Sequence, residues 1–171
     1  VHSLIEEEGI DTYKRFIQEV IEDGRRDFKN RLEELTVPGE YEAPTFSDVP
    51  LEGEQGLPRQ AANNEMMHAP LNVEIGSDRS FELDFDGANS QGQHVFNCTP
   101  SALQGAIWVL LTQTIIPNSK INDGAYYATD TNAPEGTWCN PDTVRAATAD
   151  TWHFLRPALS GMLRSLSRSF N

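Results

Sequence analysis

Leu71, Val73 and Ile75 alternate with polar residues, and after a break at Gly76–Ser80 so do Phe81, Leu83 and Phe85. Side chains of a strand point to opposite faces in turn, so each run has one apolar and one polar face. The glycine and serines between them supply a turn, and the two runs read as a β-hairpin. A lone hairpin is marginal in water, so its apolar face needs a cover while the polar face can stay wet. The cover has to come from helices elsewhere in the chain. The fold class expected is therefore α+β, a small antiparallel sheet packed with three to four helices.

Three stretches have the spacing to be those helices. Asp11 is placed to cap a helix running to about Leu35, with Tyr13, Phe16, Ile17, Val20, Ile21, Phe28 and Leu32 spaced by threes and fours. Gly24 interrupts that apolar stripe and would kink the helix or let another backbone approach. Pro38-Gly39 ends it. Thr99 caps a second helix with Pro100 at its first position. Leu103, Ile107, Leu110, Leu111 and Ile115 form its buried side, and Pro117 stops it. A third helix is expected from about Thr148, carrying Trp152, Leu155, Leu159, Met162, Leu163 and Leu166, with Pro157 kinking or dividing it. Short strands are expected over Tyr41–Phe46, His94–Phe96 and Ala125–Asn132.

The chain of 171 residues reads as a single domain or a fragment of a larger subunit. Residues 1–36 are helical, 40–70 extended and linker-like, and 71–171 a sheet with helices. Pro44, Pro50, Pro58 and Pro70 punctuate the middle segment, which is expected to lie across another surface. The modest hydrophobic share, 38%, fits a chain with a face turned to a partner.

Net charge is −13, with fifteen acids against seven bases in residues 1–60. That balance speaks against a nucleic-acid surface, which needs clustered cations. The four arginines after residue 144 are too dilute for one and are expected to cap the last helix or pair with acids. No apolar run approaches the ~20 residues that span a bilayer, and Glu6–Glu8 stand where a signal peptide would be apolar. Cys98 and Cys139 form no CxxC pair and are expected to be reduced thiols of a cytoplasmic protein.

Candidate chemistry is sparse. Glu82, Asp84 and Asp86 alternate, so one strand face could present three carboxylates to a hard cation; a solvated face of an amphipathic strand has the same pattern. His2, His68, His94 and His153 have no ligand-like spacing. No nucleophile comes with an identifiable base, and no Walker loop or GxGxxG occurs. Asn89, Asn97, Asn118, Asn122 and Asn140 border strands or caps, where asparagine bonds nearby backbone. In Asn122-Asp123-Gly124, Gly124 is the residue suited to a positive φ, and Asn122 either builds the turn or orients a substrate carbonyl.

Taken in order, three groups of residues carry a resemblance. Leu35-Thr36-Val37-Pro38-Gly39-Glu40-Tyr41 follows the long helix; Asp84-Phe85-Asp86-Gly87 comes with Gln91 and Asn97; Asn122-Asp123-Gly124 precedes Pro134-Glu135-Gly136 and Asn140-Pro141. This order resembles the hydantoinase-B family, the large subunits of ATP-dependent hydantoinases, oxoprolinases and ketone carboxylases. Asn97-Cys98-Thr99-Pro100 and Gly136-Thr137-Trp138-Cys139-Asn140 are most similar to its acetone carboxylase α-subunit branch. Hydantoinases of the family more often carry a base after the N-x-G turn, where this chain has Ala125-Tyr126-Tyr127.

The resemblance implies a C-terminal-half piece of a much longer subunit, with the family's metal and substrate motifs upstream. It implies manganese and ATP in the parent complex, none bound by this chain alone, and partner subunits of a hetero-oligomer, with no nucleic acid or membrane. The implied activity is carboxylation of a small ketone by bicarbonate to a 3-oxo acid. The alternatives are a cyclic-amide hydrolase subunit of the hydantoinase or oxoprolinase kind, and a non-catalytic assembly module. The isolated chain is expected to be inactive, with Asp84, Asp86, Asn97 and Asn122 as polar lining of the parent's site.

Overall fold

The computed structural model describes residues 1–48, 66–92, 94–117, 121–142, 148 and 152–171. Among them are five helices, α1 (His2–Glu8), α2 (Ile10–Leu35), α3 (Pro100–Thr114), α4 (Asp123–Tyr126) and α5 (Trp152–Ser169). Six strands accompany them: β1 (Gly39–Glu42), β2 (Thr45–Asp48), β3 (Met66–Ala69), β4 (Asn72–Ile75), β5 (Phe81–Asp84) and β6 (Asp130–Asn132). The α+β class holds. One sheet has the order β1-β4-β5-β6 and the other pairs β2 with β3.

The hairpin is where its alternation placed it, as the antiparallel pair β4–β5 with Val73 opposite Leu83 and Ile75 opposite Phe81. Its apolar face is sealed: Val73, Phe81, Leu83 and Phe85 are essentially inaccessible. Phe28 and Leu32 of α2, Leu103, Ile107 and Leu111 of α3, and Phe154, Leu155, Met162 and Leu166 of α5 complete that core. Phe81 and Phe28 meet edge to face at a centroid distance of 6.0 Å, a favoured aromatic geometry.

Several local expectations are corrected. The first helical stretch is two helices, broken at Gly9, whose φ of 81° suits glycine. Asp11 therefore lies in the first turn of α2, beside its positive end, and is not the cap. Tyr41–Phe46 is not one strand: β1 pairs with β4, and β2, beyond Ala43-Pro44, pairs with β3 in the other sheet. His94–Phe96 makes only an isolated bridge, Phe96 to Thr148. Ala125–Asn132 begins as helix, because Asn122 Oδ1 accepts from Gly124 N–H (2.8 Å) and caps α4, which runs to Tyr126. Only Asp130–Asn132 is strand, and it joins β5 in parallel, so the sheet is mixed. Of the linker-like segment, residues 49–65 lie outside the described residues; the last helix is described from Trp152, and Thr148, its expected start, instead bridges Phe96.

α5 runs unbroken through Pro157. Its C-terminal end is tied to the exit of α2: Val37 N–H donates to Ser169 O (2.7 Å), and Asn171 N–H to Leu35 O (3.0 Å). Arg168 Nη1 donates to Glu42 O (2.8 Å), so one tail arginine binds a neighbouring strand's carbonyl.

The polar face of the larger sheet is strongly acidic. One cross-strand row reads Glu40, Glu74, Glu82, Asp130, and the next Glu42, Asn72, Asp84, Asn132. None of these carboxylates pairs with a cation among the described residues. Like charges directly opposite each other destabilise a sheet, and salt screens them. We expect the melting temperature to rise from 10 mM to 500 mM NaCl. Glu82→Gln, which removes the acid between Glu74 and Asp130, should stabilise the chain at low salt by roughly 0.5 kcal/mol and flatten that dependence. A salt-independent melt, or a Glu82→Gln variant that melts lower, would refute the repulsion.

Candidate functional site

The DFDGANSQ stretch leaves β5 and folds back over β3. Asp84 Oδ1 accepts from Asp86 N–H (2.9 Å) and from Asn132 Nδ2 (2.7 Å), which ties the turn to β6. Asn89 Oδ1 accepts from His68 N–H (2.6 Å). The carbonyl of His68 in turn accepts from Asn89 N–H (3.4 Å) and Trp138 Nε1 (3.2 Å). The backbone of His68 is thus held on both sides, while its ring stacks on Phe46 with centroids 4.8 Å apart.

Beside it lies a recess of about 210 Å³ lined by Glu42, Pro44, His68, Pro70, Asn72, Asp84 and Asp86 among others. A second recess of about 210 Å³ crosses the acidic sheet face and shares Asn72 and Asp84 with the first. His68 Nε2 and Asn72 Oδ1 are buried and have no hydrogen-bond partner. Buried polar atoms are nearly always paired, so two unpaired ones at one recess mark it out. An amide oxygen, an imidazole and three carboxylates suit a group rich in N–H or O–H donors, and an imidazole can also move a proton.

The structure brings Asp84 and Asp86 to this recess and puts Asn97 and Asn122 elsewhere. β5 ends at Asp84, so Asp86 belongs to the following turn and the expected face of three carboxylates is not one strand face. Among the described residues no three His, Cys, Asp or Glu side chains are placed to hold a metal ion. Asn97 is fully buried, with Nδ2 donating to Gly92 O and His94 O (both 2.9 Å) and Oδ1 accepting from Gly92 N–H (3.0 Å). Asn122 Nδ2 donates to Val20 O of α2 (2.9 Å) while Oδ1 caps α4. Gly124 does not have a positive φ; it is glycine because a Cβ there would overlap the carbonyl oxygen of Ile21. Asn118 lies outside the described residues.

Two of the motif stretches, residues 84–100 and 134–141, meet in one corner. Gln91 N–H donates to Gly136 O (2.8 Å), Trp138 N–H to Asn89 O (3.1 Å), and Cys98 N–H to Trp138 O (2.6 Å). Trp138 is completely buried there, its ring against Phe85 and Phe154. His68 is the residue that sequence reasoning passed over. Its only sequence signal is Asn89, whose turn-forming habit hides the residue it holds.

Cys98 and Cys139 are free and buried in this corner. Burial, with the neighbouring Cys139, pushes the Cys98 thiol up to about 12, and burial also raises Cys139. Thiolates are the reactive form, so both should resist Ellman's reagent in the native chain and react fully in guanidinium. Rapid native labelling of either would contradict the packing.

A family profile described as Hydantoinase B/oxoprolinase matches residues 1–170. The acetone carboxylase alpha subunit of Xanthobacter autotrophicus is 41% identical over 99% of this chain, which spans 22% of that subunit. A nucleotide-free acetone carboxylase structure superposes with a TM-score of 0.89 at 40% identity, covering 98% of this chain and 22% of that one. The ATP-dependent caprolactamase of Pseudomonas jessenii shares the fold, with a TM-score of 0.76 at 16% identity over 98% of this chain and 27% of its own.

Proposed function

Because the chain belongs to the hydantoinase B/oxoprolinase family, we propose that it is part of the large (α) subunit of an ATP-dependent ketone carboxylase, one that joins bicarbonate to a small ketone to give a 3-oxo acid. The observation that carries this reading is the 41% identity to an acetone carboxylase alpha subunit over 99% of the chain. ATP and manganese come with the reading. The described residues offer no set of ligands for a metal ion; on this reading the metal is held by the rest of the subunit.

Within that enzyme Asp84, Asp86 and His68 line a polar recess, while Asn97 and Asn122, away from it, hold their own loops in shape. On this reading the enzyme's site shields activated intermediates from water, which would otherwise hydrolyse them. No described helix is long and apolar enough to cross a membrane, and the reading places the subunit in the cytoplasm among the other subunits of its complex. The second reading, an ATP-dependent cyclic-amide hydrolase, draws on the fold shared with a caprolactamase.

The test is the full-length subunit expressed with its partner subunits and supplied with ATP, acetone and labelled bicarbonate. Label in an acid-labile 3-oxo acid, dependent on both ATP and ketone, is the expected result. ATP-dependent opening of hydantoin, 5-oxoproline or caprolactam, with no label fixed, would overturn it in favour of the second reading.

A further inference from the structure

The first half of α2 carries an apolar stripe that the described elements leave largely exposed. Its buried residues are Gly24, Phe28 and Leu32, all in the second half. From Ile10 to Gly24 the helix runs on for about 20 Å at 1.5 Å per residue. Over that length Ile10, Phe16 and Ile17 are 47%, 53% and 39% exposed. Tyr13 and Val20 are only half-buried. Spacings of three and four place these side chains on one face, as a buried helix requires. Single exposed apolar residues are ordinary, but a continuous stripe of them marks an interaction surface.

We propose that this stripe is the seat of α2 against the remainder of the large subunit, an apolar surface supplied by polypeptide that this chain does not contain. The proposal rests on the large-subunit reading above. This chain spans 22% of the related alpha subunit, so more than three-quarters of such a subunit lies outside it and has to contact it somewhere. The charges flanking the stripe are of both signs, Asp11, Lys14, Arg15 and Glu19, and Arg15 already pairs with Glu19 on the helix surface (3.7 Å). That leaves the flanks near neutral and the apolar side chains as the recognition element. A strongly charged partner gains little here, and an apolar one gains the whole stripe. Asn122 and Gly124 of α4 hold α2 at Val20, Ile21 and Gly24, so the part of the helix before them is held out in a defined direction.

The pair Phe16→Asp and Ile17→Asp, made together, separates the possibilities. In the 171-residue chain alone the melting temperature should stay where it is, because both sites face water, and binding of the dye ANS should fall. In the full-length subunit the same pair should lower the melting temperature by several degrees and impair its assembly. Val109→Asp, at a 55% exposed site on α3, is the control for an apolar residue outside the stripe. A full-length double variant that melts like wild type overturns the proposal while leaving the large-subunit reading intact. So does a 171-residue chain that is a dimer in light scattering and becomes a monomer with the double substitution, because the occupant is then a second copy. A native gene product no larger than this chain removes the reading and the proposal together.

Discussion

Gly124→Ala is expected to destabilise the chain by about 3 kcal/mol, the upper end of what overpacking costs. The added methyl would overlap the carbonyl oxygen of Ile21, and a carbonyl inside α2 cannot rotate away as a side chain could. Gly24→Ala probes the same junction from the other side. Replacing a helix-interior glycine by alanine usually gains roughly 0.5–1 kcal/mol, yet here the new methyl meets the Asn122 amide. The sign should reverse. If it does, removing that amide restores room, and Gly24→Ala with Asn122→Ala should cost less than the two single changes summed, by about 1 kcal/mol. Denaturant midpoints of the three variants measure the cycle. A Gly124→Ala midpoint equal to wild type would dismiss the close approach.

Asn97→Ala should also cost about 3 kcal/mol, because it orphans three backbone groups in a buried corner, each worth roughly 1 kcal/mol or more. The groups are Gly92 N–H, Gly92 O and His94 O. Asn97→Asp keeps the acceptor for Gly92 N–H but turns a negative oxygen toward two carbonyls, and should be no better. If Asn97 instead served the reaction directly, the alanine variant of the full enzyme would melt normally and lose turnover. A normal melt with turnover gone would therefore sink the loop-holding role.

The elements readable from sequence are those whose stability is local. The β4–β5 hairpin follows from strict alternation around a turn, and α3 starts where Thr99-Pro100 says it should, with Ala102 N–H bonded to Thr99 Oγ1 (3.3 Å). α4 was hidden because Ala125-Tyr126-Tyr127 looks strand-like and a one-turn helix has little stability of its own. What holds it is Asn122 reaching Val20, 102 residues away in sequence. The break between β1 and β2 is likewise tertiary, since the two strands pair with different partners. At the candidate site Asp84 and Asp86 were legible as a motif. The part played by His68 was not, because Asn89 and Trp138 place it from 21 and 70 residues away.

The bonds that fasten the end of α5 to the exit of α2 also bear on the order of events during synthesis. Arg168 reaches Glu42 across 126 residues, and Asn171 closes on Leu35. Closing so large a loop carries its entropic penalty before any contact rewards it. On the ribosome, α2 can wind and the hairpin can zip as they emerge. The α2–β1 corner cannot settle until residue 171 has left the exit tunnel. A nascent chain stalled before that point should remain open to protease at residues 35–42, and one released past it should not.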